Sequence, residues 1–388
     1  MSQSMGKNPR TKKAVSKETF FTLAVIVVLF GYLGRVMGVD KLFSVMMKTA
    51  HDVFLNTSLY ITGVATLAGA FSYVLSEFGV IALINKILAP IMRPLFGLPG
   101  ASALGAITCY TSDNPGILAL ASDEGYSKYF TKAEEMTHVN FGTVFGMGLI
   151  VTAYMLSLGS EYFLAVLIGN IGAILGGVIS VRLMLNYGRK IHGETKADEK
   201  AFHDKKEELR TIRDGSGLER FLNSLLEGAN AGFKLGISAC AGTMLICAIV
   251  MMLTFGPAGE AGEYLGVAYE GVALLPRIGS YFLPLAKVLW GFDHAELLAF
   301  PFTALGAVGS AMGLTNGLIE KGLANPNTVA TFTGMGICLS GFLSTHIGML
   351  DALGQGKYAT KNIVTHLIGG LAAGVIANYL FKLVVMFM

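Results

Sequence analysis

Seven stretches of this chain, near 19–38, 54–77, 136–157, 161–186, 229–256, 328–350 and 362–386, are strongly apolar. Each reaches about twenty residues or more, the length an α-helix needs to cross roughly 30 Å of hydrocarbon. Inside hydrocarbon every backbone N–H and C=O must find its partner within the chain, so such runs fold as helices and the expected fold class is an all-α polytopic membrane protein. Only 14% of the residues are charged, too few to cover the surface of a water-soluble domain. The pairs Gly142/Gly146, Gly172/Gly176 and Gly370/Gly374 read as close helix contacts, because no βαβ pattern surrounds them to make a dinucleotide site. The net charge of +3 comes from short basic stretches between the apolar runs, so the lipid bilayer is the expected partner and no nucleic acid is. Cys109, Cys240, Cys247 and Cys338 form no C-x-x-C and read as packed thiols.

Two further apolar stretches, near 98–122 and 294–325, are interrupted halfway. The first break is Thr111-Ser112-Asp113-Asn114-Pro115-Gly116 and the second Gly313-Leu314-Thr315-Asn316-Gly317. Each half is too short to cross alone, so both read as re-entrant helical hairpins. With a cytoplasmic N-terminus this scheme puts 22 of the 29 Lys and Arg inside and 7 outside, as the positive-inside rule requires. Making either hairpin a full crossing would invert every later loop. The first run lacks a small-residue cleavage pattern and is followed by Arg35, so it reads as a mature helix.

The expectation is therefore about seven transmembrane helices plus two re-entrant hairpins, multi-pass in the cell (inner) membrane. Residues 1–18 form a basic cytoplasmic N-terminus and 19–53 the first crossing with its outer loop. A first repeat covers 54–187 and a second 228–388, joined by a cytoplasmic polar linker at 188–227. The repeat is suggested by Ala103-Leu104-Gly105-Ala106-Ile107 and Ala304-Leu305-Gly306-Ala307-Val308 ahead of the two breaks, and by Gly-Met-Gly at 146–148 and 334–336. Three crossings separate the hairpins, so they dip in from opposite faces as inverted-topology repeats, and facing broken helices imply a polar cavity near the midplane.

The stretch Leu88-Ala89-Pro90-Ile91-Met92-Arg93-Pro94-Leu95-Phe96-Gly97-Leu98-Pro99-Gly100 resembles the interfacial helix and hairpin approach of the nucleoside-recognition, or Gate-domain, family of bacterial integral membrane proteins, most of all its YjiH-type members. The resemblance covers roughly 54–386 and implies a fold related to concentrative nucleoside transporters, with paired hairpins in a transport domain. Those transporters carry Glu or Gln near each hairpin tip, where this sequence has Asp113-Asn114 and Thr315-Asn316.

Asp113 is the sharpest candidate, because an ionisable group at membrane depth normally faces a cavity, a cation or a substrate amine. Asn114 and Pro115 suit the start of a half-helix whose N–H groups would face the cavity. The same four residues, Asp-Asn-Pro-Gly, also make an ordinary surface turn. Thr111 and Ser112 add hydroxyls suited to Na⁺ or a polar solute, and Thr315 and Asn316 recur in the second half. Asn140 and Thr143 in one later crossing, and Thr331 and Ser344 in the other, complete the set expected to bind substrate or ion. Membrane hydroxyls often only bond back to their own helix. His346 reads as a packing or helix-end histidine.

The leading expectation is a secondary transporter of a small polar solute, nucleoside-like or another metabolite. It would use no resident cofactor, with Na⁺ or H⁺ as coupling ion and a homo-oligomeric state. A membrane enzyme or lipid-handling protein using Glu135, His138 and Asp293 is the second reading, and a non-transporting assembly or sensing module the third. No ATP-binding motif supports a pump.

Overall fold

The computed structural model describes residues 13–114, 116–121, 127, 129–194, 212–259, 261–306 and 308–388. Every regular element among them is helical. The chain is an all-helical polytopic membrane protein: Lys17–Met37, His138–Ser157, Ser160–His192 and Gly356–Met386 are each long and apolar enough to cross a membrane. Helix α1 (Lys17–Met37) leaves Phe20, Phe21, Val27 and Val28 exposed, a face suited to lipid. Helix α2 (Val39–Asp52) passes through a π-helical turn, Val53–Ser58, into α3 (Leu59–Glu77). Helix α4 (Val80–Phe96) stops at Gly97, whose φ of 80° suits a residue without Cβ.

Four short helices follow: α5 (Ser102–Thr111), α6 (Gly116–Ala121), α7 (Lys132–Glu135) and α8 (His138–Phe145). Then come α9 (Gly148–Ser157) and the long α10 (Phe163–His192). Residues 195–211 of the expected linker lie outside the described residues. Helix α11 (Gly217–Thr254) has 38 residues, about 57 Å at 1.5 Å per residue, longer than the roughly 30 Å of hydrocarbon. At its start Ser216 and Glu219 form a capping box, and Arg213 and Arg220 converge on Glu77 at 2.6 Å each, tying the α11 start to the end of α3. The second half continues through α12 (Leu274–Gly279), α13 (Leu283–Trp290), α14 (Ala299–Ala304), α15 (Val308–Glu320), α16 (Pro326–Cys338), α17 (Phe342–Ala352) and α18 (Ala359–Met386).

Glycine sets the closest helix contacts. A Cβ on Gly176 would lie 2.5 Å from the Gly369 carbonyl oxygen, and one on Gly172 2.8 Å from that of Ala373, so α10 and α18 meet backbone to backbone. In a membrane, where apolar burial against lipid drives nothing, such close packing is a main source of helix association.

The two halves share landmarks 194 residues apart. Gly97 and Gly291 both stop a helix at positive φ, 80° and 70°. Thr131 and Asn325 are side-chain N-caps of α7 and α16. Met147 and Gly341, with φ of 55° and 61°, both start the second part of a broken helix. This spacing corrects the register read from the strings. The Ala-Leu-Gly-Ala strings stand 201 apart, so 103–107 lies within α5 whereas 304–306 ends α14 and forms the break itself. Gly-Met-Gly at 146–148 is likewise a break, but at 334–336 it is continuous helix. Small apolar residues recur wherever helices touch closely, so such strings match out of register.

Candidate functional site

Three breaks, built differently, define the interior. After α5 the chain turns through Ser112, Asp113 and Asn114. The expected crossing at 136–157 is split between α8 and α9, because Met147 adopts a left-handed conformation. That at 328–350 is split between α16 and α17 at Leu339, Ser340 and Gly341. Each break strips several N–H and C=O groups of helical partners, which membrane-buried backbone tolerates only against protein or in a wet cavity.

The breaks meet. Asn114, 1% exposed, donates through Nδ2 to the carbonyl of Ser340 at 3.3 Å. Gly146 admits Asn114 from the other side: a Cβ there would stand 2.7 Å from the Asn114 Cβ and 2.9 Å from its backbone nitrogen. Beside this junction lies a buried polar chain whose directions can be read. The Nε2 of His366 faces the Cys338 carbonyl at 2.7 Å, so it must carry the proton. In the neutral ring Nδ1 then accepts, and Ser180 Oγ donates to it at 2.9 Å. Asn140 Nδ2 donates to Ser180 Oγ at 3.1 Å and to Thr365 Oγ1 at 3.0 Å, and Thr365 passes its proton to the Lys361 carbonyl at 2.9 Å. Thr143 Oγ1 bonds His346 Nδ1 at 3.1 Å, and the rings of His346 and His366 lie 5.1 Å apart. Among the described residues, the buried atoms Asn140 Oδ1, Ser340 Oγ and His346 Nε2 have no hydrogen-bond partner. Buried polar groups are costly to leave unpaired, so these three mark where a polar guest or water would be held.

Of the residues singled out in the sequence, Asn114, Asn140 and Thr143 are at this junction. Asp113 is half-buried at the same turn, and its Oδ1 accepts from the Asn114 N–H at 2.7 Å. Thr111 and Ser112 bond back to the carbonyls of Ile107 and Thr108 at 2.8 and 2.5 Å. Thr331 bonds the carbonyls of Asn327 and Trp290, away from the breaks. The side chain of Ser344, and Pro115 entirely, lie outside what is described.

The break expected at Gly313–Gly317, which holds Thr315 and Asn316, is corrected. The second paired segment turns at Leu305 and Gly306, and α15 runs unbroken through Gly313–Gly317. Thr315 donates to the Ala311 carbonyl at 3.4 Å and Asn316 Nδ2 donates to Glu320 at 2.8 Å, so both side-chain donors bond along the helix. The glycines there cost only about 1 kcal/mol each relative to Ala, which does not force a break. Of the residues named for the enzyme reading, Glu135 pairs with Lys132 at 2.9 Å, while His138 packs on Phe130 with ring centres 4.5 Å apart. Sequence reasoning missed Ser180, Thr365 and His366. His366 carried a usable signal, an ionisable residue inside an apolar run.

Fold and junction together define a polytopic helical membrane protein built around broken helices that meet in its interior. Solved structures of the concentrative nucleoside transporter CNTnw have this fold. In an inward-facing substrate-bound state CNTnw is 16% identical to this chain, with a TM-score of 0.55 over 95% of this chain and 87% of that one. A variant of CNTnw in an outward-facing state is 18% identical, with a TM-score of 0.55 and the same coverage of both chains. No family model and no curated protein matches the sequence.

Proposed function

We propose that this protein is a secondary transporter of a small polar solute, held where the α5–α6 turn meets the breaks of α8–α9 and α16–α17. The observation that carries the reading is the Asn114–Ser340 hydrogen bond, which joins two interior breaks beside three unpartnered buried polar atoms. The shared fold with CNTnw supports it. The constant spacing of landmarks supports two repeats, and the basic residues of the N-terminus and polar linker support placing both in the cytoplasm. Asn140 Oδ1, Ser340 Oγ and His346 Nε2 offer mixed acceptor and donor capacity, suited to a neutral or zwitterionic solute such as a nucleoside-like metabolite. Asp113, at the same turn, is the group proposed to couple a cation.

Purified protein in proteoliposomes, screened for uptake of labelled nucleosides, nucleobases and amino acids under Na⁺ or H⁺ gradients, tests this. Gradient-dependent accumulation of one class, abolished by Asn140→Leu, is the expected result. Accumulation unchanged in Asn140→Leu, or none for any class, overturns the assignment.

A further inference from the structure

A second polar site lies away from the junction. A cleft of about 190 Å³ opens between the π turn ahead of α3, the end of α9 and α15, lined by Asn56, Tyr60, Tyr154, Ser157, Leu158 and Asn316. The direction of its hydrogen bonds gives it a definite character. Asn56 Nδ2 donates to Asp52 Oδ1 at 2.7 Å, and Asn316 Nδ2 to Glu320 Oε1 at 2.8 Å, each one turn along its own helix. An ionised carboxylate can only accept, so the amide nitrogen faces it and the carbonyl oxygen is turned the other way. Ser157 directs its proton to the Tyr154 carbonyl at 2.5 Å, and Tyr154 directs its own to the Met312 carbonyl at 3.0 Å. Asn56, Asn316 and Ser157 are thus left with oxygens that accept, while the Tyr60 hydroxyl can donate or accept.

Charge points the same way. Neither Asp52 nor Glu320 is in an ion pair among the described residues; Asp52 accepts from Asn56 on one oxygen and from the Tyr269 hydroxyl on the other, and neither donor neutralises its charge. The lysines nearest to them in sequence are engaged elsewhere: Lys48 donates to the Gly266 carbonyl at 2.6 Å, and Lys321 sits 3.5 Å over the Phe255 ring. Two carboxylates, each bonded to an asparagine that lines the cleft, favour a cation that brings N–H donors, and the aromatic ring of Tyr60 beside them is half-exposed.

We infer that this cleft binds a small organic cation of the primary ammonium class. The carbonyl oxygens of Asn56 and Asn316 and Oγ of Ser157 accept its N–H groups, and Asp52 and Glu320 supply the counter-charge. Binding here needs no gradient and no transport, so it stands or falls separately from the transport reading.

The test is the thermal midpoint of the full-length protein in detergent, titrated with propylammonium, tetramethylammonium or sodium chloride at matched ionic strength. Propylammonium is expected to raise the midpoint saturably, while tetramethylammonium, equally charged but without N–H, and Na⁺ are not. Asn56→Leu combined with Asn316→Leu should weaken propylammonium at least tenfold. Asn316→Asp, which keeps the size and adds charge, should tighten it severalfold and serves if the double variant does not fold. No propylammonium shift, an equal shift with tetramethylammonium or Na⁺, or no change in Asn316→Asp overturns the proposal.

Discussion

The side-chain amide of Asn114 reaches the backbone carbonyl of Ser340 at 3.3 Å across 226 residues of sequence, so the turn between α5 and α6 is bonded directly to the break between α16 and α17. Backbone groups freed at one break are thereby met by a side chain from the other. A shift of either broken segment must therefore carry the other with it or part this bond.

Replacing Asn114 tests that bond. Asn114→Leu leaves the Ser340 carbonyl without its donor, and an unsatisfied buried group costs about 1–3 kcal/mol. The thermal midpoint of purified protein should fall accordingly, and solute-induced stabilisation should disappear. An unchanged midpoint would show that the bond holds nothing.

Two glycines separate close approach from mere turn. A Cβ at Gly146 would press on Asn114 at 2.7 Å, whereas at Gly306 the nearest atom among the described residues, the Thr303 carbonyl oxygen, is 3.5 Å away. Overpacking of a tight interior costs about 1–3 kcal/mol. Gly146→Ala should therefore lower the thermal midpoint clearly, while Gly306→Ala should leave it near that of the parent. Denaturation of the two variants side by side decides this.

Asp113 and Asp293 are contrasting acids. Asp113 is half-buried at the interior turn, while Asp293 is exposed and pairs with Lys287 at 2.9 Å. Uptake by Asp113→Asn should lose its dependence on a cation gradient. Asp293→Asn should behave as the parent, since exposed pairs contribute little.

Glu270 gives the segment between α11 and α12 an acid-labile clasp. Burial opposes its ionisation, but four backbone N–H groups, of Leu265, Ala258, Gly266 and Val267, outweigh that and hold its carboxyl below the usual carboxylate range. With the folded pKa below the reference 4.5, the stabilisation is complete above that reference and lost as pH falls through the folded value. Hydrogen exchange of residues 256–272, corrected for intrinsic rate, should show protection that drops on acidification below pH 4.5. Glu270→Gln should show weak protection at every pH.

The sequence by itself determined the class of this protein. Long apolar runs with few charges admit only helices in hydrocarbon, because backbone groups there have no water to bond. It also marked Asn114, Asn140 and Thr143, since a polar side chain in an apolar run must have a partner or a cavity. Tertiary structure alone decided the register between the halves and the partners in the interior. Ala, Leu and Gly recur at every close helix contact, so the matching strings pointed to a spacing of 201 where the helix stops stand 194 apart. Thr315 and Asn316 resemble a break in sequence, yet α15 runs through them, with their side chains bonding one turn away along that helix. His346 and His366, 5.1 Å apart in the fold, become neighbours only when α17 packs on α18, and no local signal in a chain can state which helices will touch.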